Sequence, residues 1–281
     1  DRMVSRASAS ANRLAEVLET TPAIVSGTKA AEGRGEVEFR SVSFAYPEAQ
    51  GEPILNHVSF HVRPGEFVAV LGATGCGKTS LVNLIPRFYD VTEGAVCVDG
   101  QDVRSQNTDV LRQKIGCVLQ KSELFSGSVM DNIRWGKADA TDEEVIQAAK
   151  IAQADEFVSN LTEGYQTVIG EKGASLSGGQ KQRLSIARAL VRKPEILIFD
   201  DSTSALDLGT EARLHEALRE NLSGTTVIMI AQRIASVRNA DRILLLENGT
   251  IAAEGRHEEL LKTSPLYRDI YASQQHSTEV M

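Results

Sequence analysis

One octapeptide constrains this chain more than any other feature. Gly72-Ala73-Thr74-Gly75-Cys76-Gly77-Lys78-Thr79 fits G-x-x-x-x-G-K-[ST], a loop that works only between a buried strand and the start of a helix. Both flanks are present. Phe67–Leu71 is a short apolar run suited to a strand covered on both faces, and residues 80–85 read as an apolar helix. The glycines let the backbone wrap with its N–H groups turned inward at phosphate oxygens, reinforced by the helix N-terminus. Lys78 would place its ammonium between β- and γ-phosphates, and Thr79 would offer its hydroxyl to Mg²⁺. Gly72, Thr74, Gly75, Cys76, Gly77, Lys78, Thr79 and Ser80 are thus the candidate phosphate-binding residues.

A second segment complements the loop. Ile196-Leu197-Ile198-Phe199-Asp200 is an apolar strand ending in a carboxylate, the arrangement that orders Mg²⁺ through water. Many buried strands end in Asp, so this run is informative only beside the loop. The two together predict binding of a nucleoside triphosphate with Mg²⁺, with Thr79 and Asp200 at the metal.

The surrounding pattern sets the fold class. Val37, Phe39, Val42 and Phe44 are apolar near period two, and residues 54–62 form a similar run closed by Pro64-Gly65. Residues 227–231 and 243–246 are further apolar runs set among helical stretches. Asn248-Gly249 turns the second of them into a hairpin with residues 250–253. Residues 131–161 are helix-rich, with Thr141 placed to cap a helix over 142–154. Strands alternating with helices indicate a parallel α/β core, and the helix-rich stretch reads as its own subdomain. At the N-terminal end, Met3, Ala7, Ala11, Leu14 and Leu18 share one helix face and Pro22 ends the run. Residues 26–35, rich in Gly, Ala and charge, read as a loose linker.

Composition narrows the function classes. With 42% hydrophobic and 24% charged residues, the 281-residue chain can bury a packed core. A net charge of −8 argues against non-specific nucleic-acid binding, which needs a basic surface. No apolar run approaches a bilayer span, and there is no signal-peptide pattern. Cys76, Cys97 and Cys117 form no CxxC, which suits a reducing compartment and disfavours a metal cluster. The first residue is Asp1 rather than Met, and the chain is expected to be a fragment.

Leu176-Ser177-Gly178-Gly179-Gln180 precedes a helical run over about 181–191 and lies shortly before Asp200. With the loop and the Asp200 strand, this pentapeptide resembles the signature of ATP-binding-cassette (ABC) proteins over about residues 36–275. Physically, Ser177 and the glycines open a helix N-terminus whose free N–H groups suit a γ-phosphate. The resemblance implies an α/β fold, a P-loop (RecA-like) core with an antiparallel β subdomain and an α-helical insert at about 121–177. It implies that Ser177, Gly178, Gly179 and Gln180 serve the nucleotide of a second cassette. Tyr46 resembles the aromatic that stacks on adenine, and Gln120 the glutamine that reaches Mg²⁺. Residues 121–134 would face a membrane domain, and Gly170-Glu171-Lys172-Gly173 resembles an exporter-type loop that meets it. Ser204-Ala205-Leu206-Asp207 resembles the loop that crosses between cassettes. Residues 1–35 would join a membrane-spanning part of the same polypeptide to the cassette, and residues 276–281 would be a tail. The whole would work at the cytoplasmic face of the cell membrane. Chromosome-structure ATPases share the signature, but Lys78 and Ser177 are too close in sequence to admit their coiled coil.

Two positions break the hydrolytic pattern. The family's catalytic cassettes carry Glu after the strand-ending Asp, and here it is Asp201; the switch loop usually has His, and here it is Gln232. An Asp is one methylene short of polarising the attacking water, and loss of a positioned base costs ~10²–10⁴ in rate. Gln can hydrogen-bond a phosphate but cannot become cationic. The expected role is one subunit of a heterodimeric exporter: its own site impaired, its intact signature completing the partner's site, and low ATPase activity alone. A slow homodimer and a non-hydrolytic ATP-binding regulatory module are the alternatives. Cys76, where Ser is commoner, is expected to fill space and to be sensitive to alkylation beside Lys78 and a helix N-terminus.

Overall fold

The computed structural model describes residues 2–49, 51–121, 123–170 and 175–279. Its centre is a six-stranded sheet in the order 250–255, 242–247, 67–71, 226–230, 196–200, 115–118, parallel except for the first, hairpin-paired edge strand. Period-two alternation is present in each run, but both faces are buried. Val68, Val70, Ile198, Ile228, Ile230 and Leu244 point to one core, while Ala69, Leu71, Leu197, Phe199, Met229 and Leu245 point to the other. That is why these strands read as continuous apolar runs rather than as alternating ones. Truncating any one of these fully buried large residues to Ala would cost about 2–5 kcal/mol.

The first core is closed by an antiparallel sheet in the order Leu55–Val62, Val37–Phe44, Glu93–Val98, Gln101–Asp102. The second is closed by helices Gly178–Leu190 and Leu208–Asn221 and by the helical insert. The insert carries helices Val129–Arg134, Asp142–Ile151 and Asp155–Ser159. A two-stranded pairing of Gly127–Ser128 with Val168–Ile169 pins its base. Thr141 caps as expected, its hydroxyl accepting from the Glu144 N–H while the Glu144 carboxylate accepts from the Thr141 N–H. Asn248 and Gly249 both stand at positive φ, 47° and 74°, as a two-residue hairpin turn requires. The expected α/β architecture, with its β subdomain and helical insert, is therefore observed. Strands that the sequence pattern did not mark, among them Glu93–Val98 and Ile115–Val118, complete the sheets.

Residues 26–35 are not the loose linker expected of them. The N–H groups of Gly27 and Lys29 donate to Gln106 and Ser105, and Asn107 N–H donates to Lys29. Lys114 Nζ bonds the Ala31 carbonyl at 2.6 Å and Asp99 Oδ2 at 2.9 Å, while Asp99 Oδ1 accepts both the Gly35 and Glu36 N–H groups. The glycines and small residues allow close approach to the body: a Cβ on Gly27 would stand 2.2 Å from the Ser105 carbonyl oxygen. Upstream, helix Arg2–Glu19 leaves Leu14, Val17 and Leu18 exposed. Among the described residues no helix is long and apolar enough to cross a membrane.

Candidate functional site

Strand order builds the site. The strands ending at Leu71, Val118, Asp200 and Ile230 run parallel, and Ile230 is in register with both Val70 and Asp200, while Val118 pairs with Phe199. Everything just past their carboxyl ends, Gly72, Gln120, Asp201 and Gln232, therefore emerges on one edge of the sheet, where α/β proteins place ligands. An open cleft of about 300 Å³ lies there, lined by Thr74, Gly75, Gly77, Lys78, Thr79 and Ser80 together with Gln120, Asp200, Asp201 and Gln232. Ile54 and Ile230 complete its wall. Neither was marked from sequence, since an Ile in an apolar run gives no hint of lining a site.

The loop's glycines divide by job. Gly77, at φ 103°, caps helix Lys78–Asn83, and a Cβ there would press to 2.9 Å from Leu55. A Cβ on Gly75, at φ 81°, would meet nothing, so this residue faces open space where a ligand can approach the backbone. Gly72 and Cys76 lie behind the loop rather than in the cleft: a Cβ on Gly72 would sit 2.6 Å from Cys76 Sγ. Cys76 is accordingly buried packing, as a space-filler should be. Lys78, 8% exposed, donates its ammonium to the carbonyls of Gly72 and Ala73 at 2.7 and 2.8 Å. That holds a positive charge at the mouth of the loop.

Thr79 Oγ1 donates to Asp200 Oδ1 at 3.1 Å. Burial raises the Asp200 carboxyl above its ordinary value, the neighbouring Asp201 adds to the rise, and Thr79 and Lys78 oppose it. Two hard oxygen donors side by side, one of them a carboxylate that burial disfavours as an anion, fit Mg²⁺, which takes one or two protein ligands and fills the rest with phosphate and water. Among the described residues no group of three His, Cys, Asp or Glu forms a cage of its own.

Asp201 stands at φ 48° in the left-handed region, and the side-chain amides of Gln120 and Gln232 converge on it. Gln232 Nε2 donates to Asp201 Oδ2 at 2.9 Å and Gln120 Nε2 donates to the same oxygen at 3.3 Å. Burial raises the Asp201 carboxyl, while Gln232 and Lys78 pull it back. Gln120, expected at the metal, is thus placed on Asp201 in this structure. Tyr46 does not line the cleft; its hydroxyl is 2.9 Å from Ser80 Oγ and its ring meets Phe44 and Tyr89 edge-on.

The pentapeptide lies elsewhere. None of Ser177, Gly178, Gly179 or Gln180 lines the cleft, and Ser177 and Gly178 are exposed. Ser177 Oγ accepts from the Gln180 N–H and Gln180 Oε1 accepts from the Ser177 N–H, closing a capping box on helix Gly178–Leu190. One turn on, buried Gln182 accepts the Ala205 N–H at 3.0 Å, and a Cβ on Gly179 would meet the Ala205 carbonyl at 2.9 Å. The signature and the 204–207 loop are therefore one packed surface. Sequence reading missed Glu211, which is 2% exposed and accepts from Thr203, Arg233 and Ser236. Glu171, Lys172 and Gly173, assigned to an exporter-type loop, lie outside the described residues.

A second groove, of about 490 Å³, lies between the sheet edge at Cys117 and the insert. Phe125 and Trp135 stack beside it at 4.8 Å, and both are exposed.

Comparison with known proteins agrees with this fold. The chain is 49% identical over 276 residues to the uncharacterized ABC transporter ATP-binding protein YfiB of Bacillus subtilis, covering 96% of this chain and 47% of that protein. It is 44% identical over 269 residues to the ATP-dependent lipid A-core flippase of Syntrophus aciditrophicus, covering 95% of this chain and 44% of the relative. The chain thus spans less than half the length of these curated relatives. In three dimensions it matches a bacterial Atm1-family ABC exporter with ATP bound, with a TM-score of 0.90 and 36% identity over 97% of this chain and 48% of that one. A model of the ABC transporter family matches residues 55–204, the stretch that holds the loop, the signature and Asp200, and the chain belongs to that family.

Proposed function

We propose that this chain is the ATP-driven motor cassette of a membrane exporter, in which its own nucleotide site turns over slowly and its signature completes the active site of a different partner cassette. The loop amides and Lys78 would hold the triphosphate, and Thr79, Asp200 and Gln120 would hold Mg²⁺. When bound, Mg²⁺ supplies charge neutralisation on the β- and γ-phosphates. Asp201 is left to orient the attacking water, and it is both short and engaged. The observation that carries the reading is that a single Asp201 oxygen already accepts from Gln232 and Gln120, where a longer carboxylate and an imidazole would reach toward the phosphate.

The exposed Ser177-Gly178 turn, remote from the chain's own cleft, supports a role in trans. The aromatic groove at Phe125 and Trp135, which includes part of residues 121–134, and the exposed apolar side chains of helix Arg2–Glu19 support attachment to a membrane-spanning part. The assembly then sits at the cytoplasmic face of a membrane. The test compares steady-state ATP hydrolysis by the purified chain, at high concentration, with that of Asp201→Glu/Gln232→His. The double variant is expected to be at least tenfold faster. Equal rates would reject the impaired site.

A further inference from the structure

We propose that Gln274, on the C-terminal helix, is a positioning residue for the switch loop and hence for the Gln232–Asp201 contact. Its side-chain amide grips the backbone on both sides of Arg233. Nε2 donates to the Gln232 carbonyl at 2.7 Å, and Oε1 accepts the Ile234 N–H at 2.8 Å. The Gln amide carries a donor and an acceptor in one fixed plane on a single terminal carbon, so this side chain bonds residues 232 and 234 as one residue of a parallel strand bonds its neighbour.

The grip answers a local need. Ile234 opens the short helix Ile234–Val237, and the preceding Arg233 provides no side-chain cap. The first N–H of that helix is an orphan donor, and Gln274 satisfies it from another element. Arg233 instead sends its guanidinium to Glu211 at 2.9 Å and to the carbonyls of Thr203 and Leu206. Three consecutive residues of the loop are therefore pinned, and Gln232 is left to point its own amide at Asp201.

The anchor is firm on its other side. Tyr267, Ile270, Tyr271 and Gln274 follow at the i, i+3, i+4, i+7 spacing of one helix face. Tyr267 is wholly buried with its hydroxyl 2.7 Å from His257 Nδ1, and Ile270 and Tyr271 pack on the core. Displacement of helix Pro265–Glu279 would reach the Asp201 carboxylate through two side-chain amides in series.

The test uses the full-length protein with two variants. Gln274→Met removes both bonds at similar volume, and Gln274→Glu keeps the acceptor for Ile234. Hydrogen–deuterium exchange at the Ile234 amide is expected to accelerate at least tenfold in Gln274→Met and to stay within threefold in Gln274→Glu. Equal protection in all three proteins, or equal loss in both variants, overturns the clamp. In the Asp201→Glu/Gln232→His background, Gln274→Met is expected to cut kcat for ATP hydrolysis at least fivefold with KM for ATP within twofold. An unchanged kcat overturns the positioning role. The kinetic arm rests on the proposed hydrolytic reading of residues 201 and 232; the exchange arm does not. If the double substitution brings no gain, that reading fails while protection at Ile234 still decides the clamp.

Discussion

Gln232 Nε2 lies 2.9 Å from Asp201 Oδ2, an amide donor against the carboxylate that follows the strand-ending Asp200. The bond has a chemical consequence. An amide cannot give up or accept a proton at working pH, so the pair can orient a water but cannot relay charge as a carboxylate–imidazole pair can. Gln120 donates to the same oxygen from the next strand end, so a shift of either glutamine changes what Asp201 presents to the cleft.

The buried Asp200 makes a stability prediction with a definite sign. Its folded-state carboxyl is raised, so the folded protein keeps this proton to higher pH than the unfolded chain does. Stability from this group is whole below the unfolded value and is lost as pH rises through the folded one. Asp200→Asn, which retains an oxygen for Thr79, is expected to melt about 2 °C above wild type at pH 7.5. The difference should vanish toward pH 4, and Mg²⁺–ATP should stabilise wild type more than the variant. Melting curves with and without nucleotide check this. A variant less stable than wild type at pH 7.5 would contradict it.

His215 works in the opposite direction. Burial against Phe67, 5.6 Å between ring centroids, lowers its value, and its Nε2 is buried without a hydrogen-bond partner. The unfolded chain takes up this proton first, so stability is whole above pH 6.5 and falls with pH below it. His215→Phe should flatten the melting temperature between pH 5.5 and 7.5. An unchanged slope would show that other groups govern it.

Lys114 is the keystone of the strap at residues 26–35. Its partner Asp99 has a side chain only 1% exposed, and the two together hold Ala31, Gly35 and Glu36. Lys114→Met leaves a buried carboxylate facing no cation, at a cost of about 3 kcal/mol. Denaturant titration should show that loss, and limited proteolysis should cut within the strap. Full recovery of stability in Asp99→Asn/Lys114→Met would support the pair as the cause.

Cys76 Sγ lies 3.8 Å from Lys78 Nζ, packed behind the loop. A maleimide adduct cannot fit there without pushing the loop open. Alkylation is therefore expected to abolish ATP binding, with ATP protecting and Cys76→Ser resistant. Equal inhibition of Cys76→Ser would place the reactive thiol elsewhere.

By itself the sequence settled whatever is encoded over short range. The loop from Gly72 to Thr79, the strand into Asp200, the Thr141 and Ser177 caps and the Asn248-Gly249 turn are each written in neighbouring residues, because hydrogen bonds and φ preferences act within one turn or one strand. The identities of Asp201 and Gln232 were legible for the same reason. Tertiary structure alone decided what these residues touch. Strand order, which depends on burying both faces of the sheet, set Gln120 and Gln232 on one Asp201 oxygen. Residues 26–35 looked loose because their partners Asp99 and Lys114 are distant in sequence, and Gln274 gave no signal because the backbone groups it bonds lie 42 and 40 residues away. Contacts between segments far apart in the chain follow from packing, and no local pattern records them.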